Sequence, residues 1–229
     1  MNFRLFFIFI LLNTFSYSQT QTAKYKIGFI NQNAKEDLKE KLISKNQKNI
    51  LIYNRFIRNS EPAYGYLIYN NKQSTYQLEN KLQTDDKKIF NFIYNKAGGN
   101  SKYFNGFKQF YQTDVTGEES FVYMDKIDWQ IKPDKTTING IKCQLATFNK
   151  NEDKVVKVWF SLEHHVPFGP QYYYGLPGLI VRIEDKPFLT QLIEINKTNK
   201  NIESFPENIK ILTLEEFKSQ NNFNDFFKN

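Results

Sequence analysis

The chain has 229 residues, of which 40% are hydrophobic and 17% aromatic, and it carries a formal net charge of +7 at pH 7. A basic balance permits an anionic partner, but the lysines are spread along the sequence with no run of five or more, so we read them as solvated surface and expect no nucleic-acid partner. The length suits one domain of the all-β size class, with ample chain for a core.

The first eighteen residues predict a secretory signal peptide. Arg4 is the positively charged residue, residues 5–12 are apolar, and Ser16-Tyr17-Ser18 fits the small-x-small cleavage pattern. The apolar run is too short to span a bilayer. We therefore expect cleavage after Ser18, a single β-rich domain over 19–229 and a periplasmic or secreted location. No cysteine follows the cleavage site, so lipid attachment is not expected, and no later segment has transmembrane length.

Alternation and helical spacing predict the elements of the first half. A strand is expected where Tyr25, Ile27 and Phe29 share one face, and an amphipathic helix follows with Asn33 as its cap. Asn70-Asn71-Lys72 predicts the turn of a hairpin. The predicted segments are a strand at 24–30, a helix at 33–48, an ambiguous run at 50–57, hairpin strands at 64–69 and 74–78, a loop at 82–88 and an uncertain run at 89–94.

The second half predicts a series of strands with turns between them. The expected strands are 102–113, 119–124, 127–131, 136–148, 155–160, 180–183, 189–195 and 209–212. Thr213 and Glu216 form a capping-box pattern before a final helix that could include Phe223 and Phe227. The predicted fold class is therefore mainly β with one or two helices, built on a single antiparallel sheet that is strongly curved or half-barrel.

The stretch 158–185 is the most unusual in the chain because it combines prolines, glycines and aromatics. Pro167 and Pro170 end regular structure, since neither can donate a ladder hydrogen bond. Leu176-Pro177-Gly178-Leu179 predicts a type II turn with positive φ at Gly178. The loop also carries Phe168 and three consecutive tyrosines, so we expect it to pack against the protein. It is either a corner of the core, or a wall or gate of a binding groove.

Gly175-Leu176-Pro177-Gly178-Leu179-Ile180 is similar to the hexapeptide that names the GLPGLI family of exported bacterial proteins. The resemblance extends over about 129–185. Its further features are Trp129, Ile138-x-Gly140-x-x-Cys143-x-x-Ala146, Trp159-Phe160, Pro167 and Gly169-Pro170. It implies an exported protein, and it carries over no catalytic residue because the family has no known function. His164-His165 depart from the acidic or apolar pair expected there, which argues against a histidine site shared by the family.

The remaining reactive residues do not form a specific catalytic pattern. Cys143 lies on the more apolar face of its strand, which favours a buried, inert thiol over a catalytic or redox one. On a strand His164 and His165 would point to opposite faces, and in a loop they would need a His-rich tract or a third ligand to bind a metal, so no metal site is expected. Glu163, Glu184 and Asp185 fall at strand ends, where carboxylates are commonly just solvated. We expect no cofactor.

Three functional hypotheses remain, and none of them identifies a catalytic residue. The favoured one is a non-enzymatic envelope protein that binds an apolar or extended ligand, such as a lipid, an acyl chain or a peptide. The second is a module that docks on another envelope component, such as an outer-membrane protein. The third, least favoured, is a hydrolase or thiol enzyme. The residues expected to form the binding site or a structural motif are Trp159, Pro167, Gly169, Pro170, Tyr174, Gly175, Leu176, Pro177, Gly178, Leu179 and Ile180.

Overall fold

The structure is a computed structural model that describes residues 19–79, 92–115, 118–152, 154–206 and 209–220. The predicted signal peptide, the loop predicted at 82–88, and Phe223 and Phe227 lie outside the described residues.

The described residues form a mainly β protein, as predicted, but they contain four α-helices where one or two were expected, and one sheet of twelve strands. The strands are β1 (Gln21–Phe29), β2 (Ala63–Tyr69), β3 (Ser74–Leu78), β4 (Lys102–Asn105), β5 (Gln109–Val115), β6 (Glu118–Tyr123), β7 (Gln130–Ile138), β8 (Ile141–Asn151), β9 (Lys154–Ser161), β10 (Ile180–Asp185), β11 (Phe188–Lys197) and β12 (Ile211–Leu212). The helices are α1 (Gln32–Lys45), α2 (Asn49–Ile52), α3 (Phe92–Lys96) and α4 (Leu214–Gln220).

The sheet consists of two antiparallel meanders that meet at β1. Its order is β12-β6-β5-β4-β3-β2-β1-β11-β10-β9-β8-β7. The chain runs outward from β1 to β6, crosses to the other edge at β7 and returns strand by strand to β11, which pairs with β1. Only residues 124–129 join β6 to β7, although these strands lie near opposite edges of the sheet order.

The sheet is larger than predicted, it is open, and it is not purely antiparallel. β12 pairs in parallel with β6, with Ile211 opposite Phe121 and Leu212 opposite Val122. α4 follows β12 directly, and its Phe217 is buried in a small cluster with Val122 and Leu212. The predicted capping box is present, since the Glu216 amide donates to Thr213 Oγ1 at 3.1 Å and the Thr213 amide donates to Glu216 Oε2 at 2.7 Å.

Two predicted boundaries in the first half of the chain were wrong. The helix cap is Asn31, whose side chain accepts from the Ala34 amide, and not Asn33, which lies inside α1. The strand predicted at 102–113 is two strands, because Gly106-Phe107-Lys108 reverses the chain between β4 and β5. The ambiguous 50–57 run is helical: after α2 the chain forms a π-helical turn over Tyr53–Ile57, closed by the Arg58 amide on the Tyr53 carbonyl at 2.9 Å.

Alternation decides which side chains enter the core. In β1, Ala23, Tyr25 and Ile27 are buried, while Lys24 and Lys26 point away from the core. In β9 the predicted apolar face is confirmed, since Val156, Val158 and Phe160 are all buried. None of the helices in the described part of the chain combines the length and hydropathy that crossing a membrane would require.

Two buried tyrosines, in the strands on either side of β2, show how a hydrogen bond to a buried hydroxyl affects stability in this core. The Tyr25 hydroxyl donates to the carbonyl of Ile180 at 2.7 Å, whereas the Tyr76 hydroxyl is buried with no hydrogen-bond partner among the described residues. Tyr25→Phe should lower the free energy of unfolding by about 1–3 kcal/mol, because the deleted hydroxyl is a partner of that carbonyl. Denaturant titration of the purified protein measures this loss.

Tyr76→Phe is the matched control. It removes a buried hydroxyl that has no partner among the described residues, so the free energy of unfolding should stay the same or rise. Equal losses for both variants would contradict the assignment of the Tyr25–Ile180 hydrogen bond as a stabilising contact.

Candidate functional site

The loop between β9 and β10, residues 162–179, has its own hydrogen-bonded backbone. Ser161 begins it: its Oγ accepts from the amides of Glu163 at 3.0 Å and His164 at 2.9 Å. The loop closes where the Leu179 amide donates to the His164 carbonyl at 2.8 Å and the Ser161 amide donates to the Leu179 carbonyl at 2.8 Å. The 162–179 loop is therefore a built structure whose two ends are joined.

Gly178 is required here by close packing and not by its backbone angles. A Cβ at this position would lie 1.9 Å from the Ser161 carbonyl oxygen, far inside van der Waals contact. The predicted type II turn was wrong, because Gly178 does not have positive φ; the glycine of the hexapeptide that does is Gly175, at 91°. Gly169 is similarly confined, since its Cβ would lie 2.7 Å from the Tyr173 carbonyl oxygen.

The predicted motif residues divide into a buried and an exposed set. Leu176, Leu179 and Ile180 are among the largest fully buried side chains of the protein. Gly169, Pro170 and Gly178 are also buried, Trp159 and Tyr174 are partly buried, and Pro167, Gly175 and Pro177 are exposed. Most of the hexapeptide therefore faces the core, and only its two exposed residues reach the surface.

Side chains bind the 162–179 loop to elements remote in the sequence. Trp129 Nε1 donates to the Tyr174 carbonyl at 2.8 Å, and the Tyr174 hydroxyl donates to the Met124 carbonyl at 3.3 Å. Gln171 Nε2 reaches the Lys96 carbonyl at 3.4 Å. These contacts join the loop to α3 and to the 124–129 connection between the two edges of the sheet.

The tyrosines of the loop have different environments. Tyr173 is buried and lies edge-on to Phe148 of β8, with ring centroids 6.2 Å apart. Burial raises the pKa of the Tyr173 hydroxyl well above its ordinary value. Tyr172 stacks on Tyr173 with centroids 4.4 Å apart, but it is only partly buried. Both rings border the cleft described next, and Tyr172 is the more exposed of the two.

A cleft of about 140 Å³ lies between the loop, α3 and residues of five strands, β1 and β8 to β11. Its apolar side includes Ile27, Ile183 and Phe188, together with the rings of Tyr172 and Tyr173. Its polar side contains Lys96, Lys150, Lys154, Gln171, Asp185 and Thr190. We refer to it as the lysine cleft.

Asp185 forms ion pairs with two of the three lysines that line the lysine cleft. Lys150 Nζ lies 2.7 Å from Asp185 Oδ2, and Lys154 Nζ lies 2.5 Å from Asp185 Oδ1. Burial by itself raises the pKa of this carboxyl, but the hydrogen bonds and charges of the two lysines lower it more, so the net pKa lies below the ordinary value. Lys150 also donates to the Tyr172 hydroxyl at 3.2 Å, which connects the ion pair to the loop.

The histidines border a different, more open cleft of about 390 Å³. His164 and His165 line it with Gln19, Gln21, Tyr69 and neighbouring asparagines. The Tyr69 hydroxyl donates to Gln21 Oε1 at 2.7 Å, so the walls of this cleft are mainly amide and hydroxyl groups. Within the described ranges no three His, Cys, Asp and Glu side chains come together as a metal site would need.

Cys143 is fully buried in β8, on the apolar face predicted for it. Burial raises the pKa of its thiol to about 11, so at neutral pH the thiol is protonated. Its Sγ contacts the Ile141 carbonyl at 3.3 Å. The thiolate that nucleophilic chemistry would require is therefore scarce and shielded.

Sequence reasoning missed Lys96, Lys150 and Lys154, and it assigned Asp185 only to solvent. The two hairpin tips that carry Lys150, Lys154 and Asp185 are neighbours because β8, β9, β10 and β11 are consecutive in the sheet. Recognising these strands as one meander could have indicated that the tips lie at the same end.

Comparison with known proteins gives a partial match to a family without an assigned activity. Residues 80–182, somewhat under half of the chain, match the model of a family described as a protein of unknown function (Porph_ging). The matched region includes the 162–179 loop and ends within β10. No curated protein matches the chain.

Solved structures give a similarity of fold. Two crystal forms of PNGF-II, in space groups C2 and P21, match with TM-scores of 0.53 and 0.52 at 12% and 13% identity. Each match covers 90% of this chain and 33% of the PNGF-II chain, so the protein spans about a third of the length of PNGF-II. An uncharacterised conserved protein from Thermus thermophilus matches with a TM-score of 0.40 at 6% identity, over 86% of this chain and 91% of that one.

The packing of Gly178 against Ser161 predicts a large effect of one methyl group. Gly178→Ala should lower the free energy of unfolding by about 3 kcal/mol, a fall in Tm of roughly 6–12 °C, because backbone must move to admit the Cβ. Gly28→Ala is the matched control, since its nearest non-neighbouring atom would lie 3.9 Å from the Cβ. Thermal unfolding of both variants checks this, and an unchanged Tm for Gly178→Ala would contradict the packing.

The buried thiol predicts slow alkylation. Native protein incubated with iodoacetamide near neutral pH should remain unlabelled at Cys143, and protein in denaturant should be labelled completely. Because the thiolate forms only near the raised pKa, native labelling should increase with pH toward about 11 for as long as the fold persists. Intact-mass spectrometry gives the extent of labelling. Rapid native labelling at neutral pH would revive the thiol-enzyme reading.

Proposed function

We propose that the protein is an exported, non-catalytic binding protein whose ligand is apolar or extended, such as a lipid, an acyl chain or a peptide. The observation that carries this proposal is the lysine cleft, where one wall is the ordered 162–179 loop and the floor is apolar. Tyr172 presents part of its ring and its hydroxyl there, a combination suited to a ligand with both apolar and polar groups.

The proposal includes a strongly curved, half-open sheet. In a flat sheet, the ten strand spacings between β6 and β7 would separate these strands by about 48 Å. Residues 124–129 can extend only about 25 Å between them, so the sheet must bend toward closure. The hydrogen bond from Asn139 Nδ2 to the Leu192 carbonyl at 2.9 Å supports the same bending, since β9 and β10 lie between β8 and β11.

The loop acts as a wall of the hollow and not as a gate. Leu176 and Leu179 are fully buried, and both ends of the loop are held by backbone hydrogen bonds. Much of the concave side is therefore filled by the protein itself, and ligand access is restricted to the space left beside the loop. This arrangement fits a binding protein whose cleft is preformed better than one whose loop must open before a ligand can enter.

The proposal places the chain in the GLPGLI family of exported bacterial proteins. The hexapeptide at 175–180 lies inside the region that matches the Porph_ging model, and Leu176, Leu179 and Ile180 occupy the core. Together with the basic and apolar N-terminus, this supports removal of residues 1–18 as a signal peptide. The folded chain, residues 19–229, would then be a single domain located in the periplasm or outside the cell.

A second candidate is a docking module for another envelope protein. It is favoured by exposed apolar side chains on α2, where Leu51 is 70% exposed and Ile52 48% exposed. Lys48 and Arg55 are exposed on either side of them. An apolar pair between cations fits a partner surface with an acidic rim.

The first test is mass spectrometry of what remains bound to the tagged protein after gentle purification from its native envelope. We expect a recurring lipid, acyl species or peptide, and its amount should fall in Tyr172→Ala because the side wall of the cleft is lost. Tyr123→Ala is the matched control, since Tyr123 is 41% exposed on β6 and does not line the cleft. Circular dichroism verifies that both variants fold.

Two experimental outcomes would contradict the assignment as a ligand-binding protein. A stoichiometric protein partner that is lost in a Leu51→Ser, Ile52→Ser variant, and retained in Tyr172→Ala, would replace ligand binding by docking. A wild-type protein that is empty in repeated preparations, with neither ligand nor partner, would contradict the binding proposal.

A further inference from the structure

The lysine cleft carries more positive charge than its own carboxylate balances. Lys96, Lys150 and Lys154 line it, and Asp185 is the one acidic side chain among its described lining residues. Two positive charges are therefore in excess at one small site. Elsewhere in the described chain the close ion pairs join one cation to one carboxylate, as in Lys39–Glu36 and Lys102–Glu203.

The ammonium groups at Asp185 retain unused donors. Each lysine ammonium has three N–H groups. Lys150 uses two of them in its described contacts, on Asp185 Oδ2 and on the Tyr172 hydroxyl, whereas Lys154 contacts Asp185 Oδ1 as an ion pair without the angles of a hydrogen bond. Both side chains keep about a third of their surface exposed. An anion entering the cleft could accept these N–H groups without breaking the ion pairs.

The opposite side of the cleft is apolar and aromatic. Ile27 and Ile183 are buried beneath it, and Phe188 lies at its margin. Phe188 belongs to a cluster in which its ring centroid is 5.3 Å from that of Phe29 and 5.9 Å from that of Phe92. An anion bound by the lysines would thus have an apolar surface beside it, on which an attached hydrocarbon group could pack.

The volume and the charge restrict the ligand further. At about 140 Å³ the cleft is smaller than the roughly 300–1,000 Å³ typical of whole-ligand pockets, so it suits the end of a ligand. The excess positive charge attracts an anion of either charge, but inorganic phosphate has no hydrocarbon to pack on Phe188, whereas a carboxylate can carry one. A carboxylate joined to a small apolar group fits both limits.

We propose that the lysine cleft is a subsite for a terminal carboxylate carried by an apolar group, with Lys150 and Lys154 binding the carboxylate and Phe188 contacting the hydrocarbon. This inference rests on the proposed function and specifies the chemistry of its ligand. Two sources share that chemistry: the free carboxylate of an acyl chain and the C-terminus of a peptide that ends in an apolar residue.

Calorimetric titration with small probes tests the subsite. The full chain, stripped of co-purified ligand on a hydrophobic resin, is titrated with hexanoate, with hexanol as the uncharged control and with inorganic phosphate. We expect hexanoate to bind about tenfold more tightly than either, since a charge-assisted hydrogen bond roughly accounts for that factor. N-acetyl-leucine mimics a peptide C-terminus, and its affinity relative to hexanoate distinguishes the two sources.

Substitutions locate the effect. Lys150→Gln should weaken hexanoate binding about tenfold and leave hexanol unchanged, and Lys150→Arg should restore most of the affinity because it restores the charge. Lys96→Gln should weaken hexanoate binding without unpairing Asp185, so it remains informative if Lys150→Gln proves unstable. Lys157→Gln is the matched control, since Lys157 is an exposed residue of β9 that does not line the cleft.

The outcomes separate this inference from the proposed function. Equal affinity for hexanoate and hexanol, or for hexanoate and phosphate, would overturn the carboxylate subsite. It would also be overturned if Lys150→Gln retained the native-envelope ligand at the wild-type amount, while the proposed function would stand. An empty wild-type protein that bound hexanoate with the predicted lysine dependence would support the subsite and count against the proposed function.

Discussion

The contact of the Gly178 backbone with the Ser161 carbonyl determines how the 162–179 loop lies on the sheet. Because no side-chain carbon fits between them, the end of the loop and the end of β9 approach as closely as two backbones can. That approach directs Leu176 and Leu179 into the core and brings Tyr173 against Phe148. Tyr172 then reaches Lys150, and the lysine cleft acquires its wall.

The loop and the topology of the sheet depend on each other. In our proposal, a sheet whose near-edge strands are joined by six residues bends around a hollow, and the 162–179 loop supplies side chains that fill it. Trp129 and Met124, at the two ends of that connection, both bind Tyr174. In our proposal the remaining space, beside Tyr172 and the hairpin tips, is what is available to a ligand.

Local patterns predicted most strands, and long-range contacts account for what was missed. Val156, Val158 and Phe160 alternate cleanly, so β9 and its buried face could be read directly. The turn at Gly106-Phe107-Lys108 has no proline, and Phe107, which is 93% exposed, resembles a strand residue in sequence. A glycine is needed at position 178 because of its contact with Ser161, seventeen residues earlier in the chain. The ion pair between Lys150 and Asp185 depends on the order of the strands in the sheet, which local periodicity does not specify.

Native-state hydrogen exchange of the loop amides tests most directly whether the 162–179 loop is a fixed part of the core. The amides of Ser161, Leu179 and Ile180 donate to Leu179, His164 and Phe168 carbonyls, respectively. If the loop is a wall, these amides should exchange only through global unfolding, with the same free energy as amides in the centre of β1. Exchange at a free energy several kcal/mol lower would show that the loop opens locally, and it would contradict the fixed wall on which the proposed binding site depends.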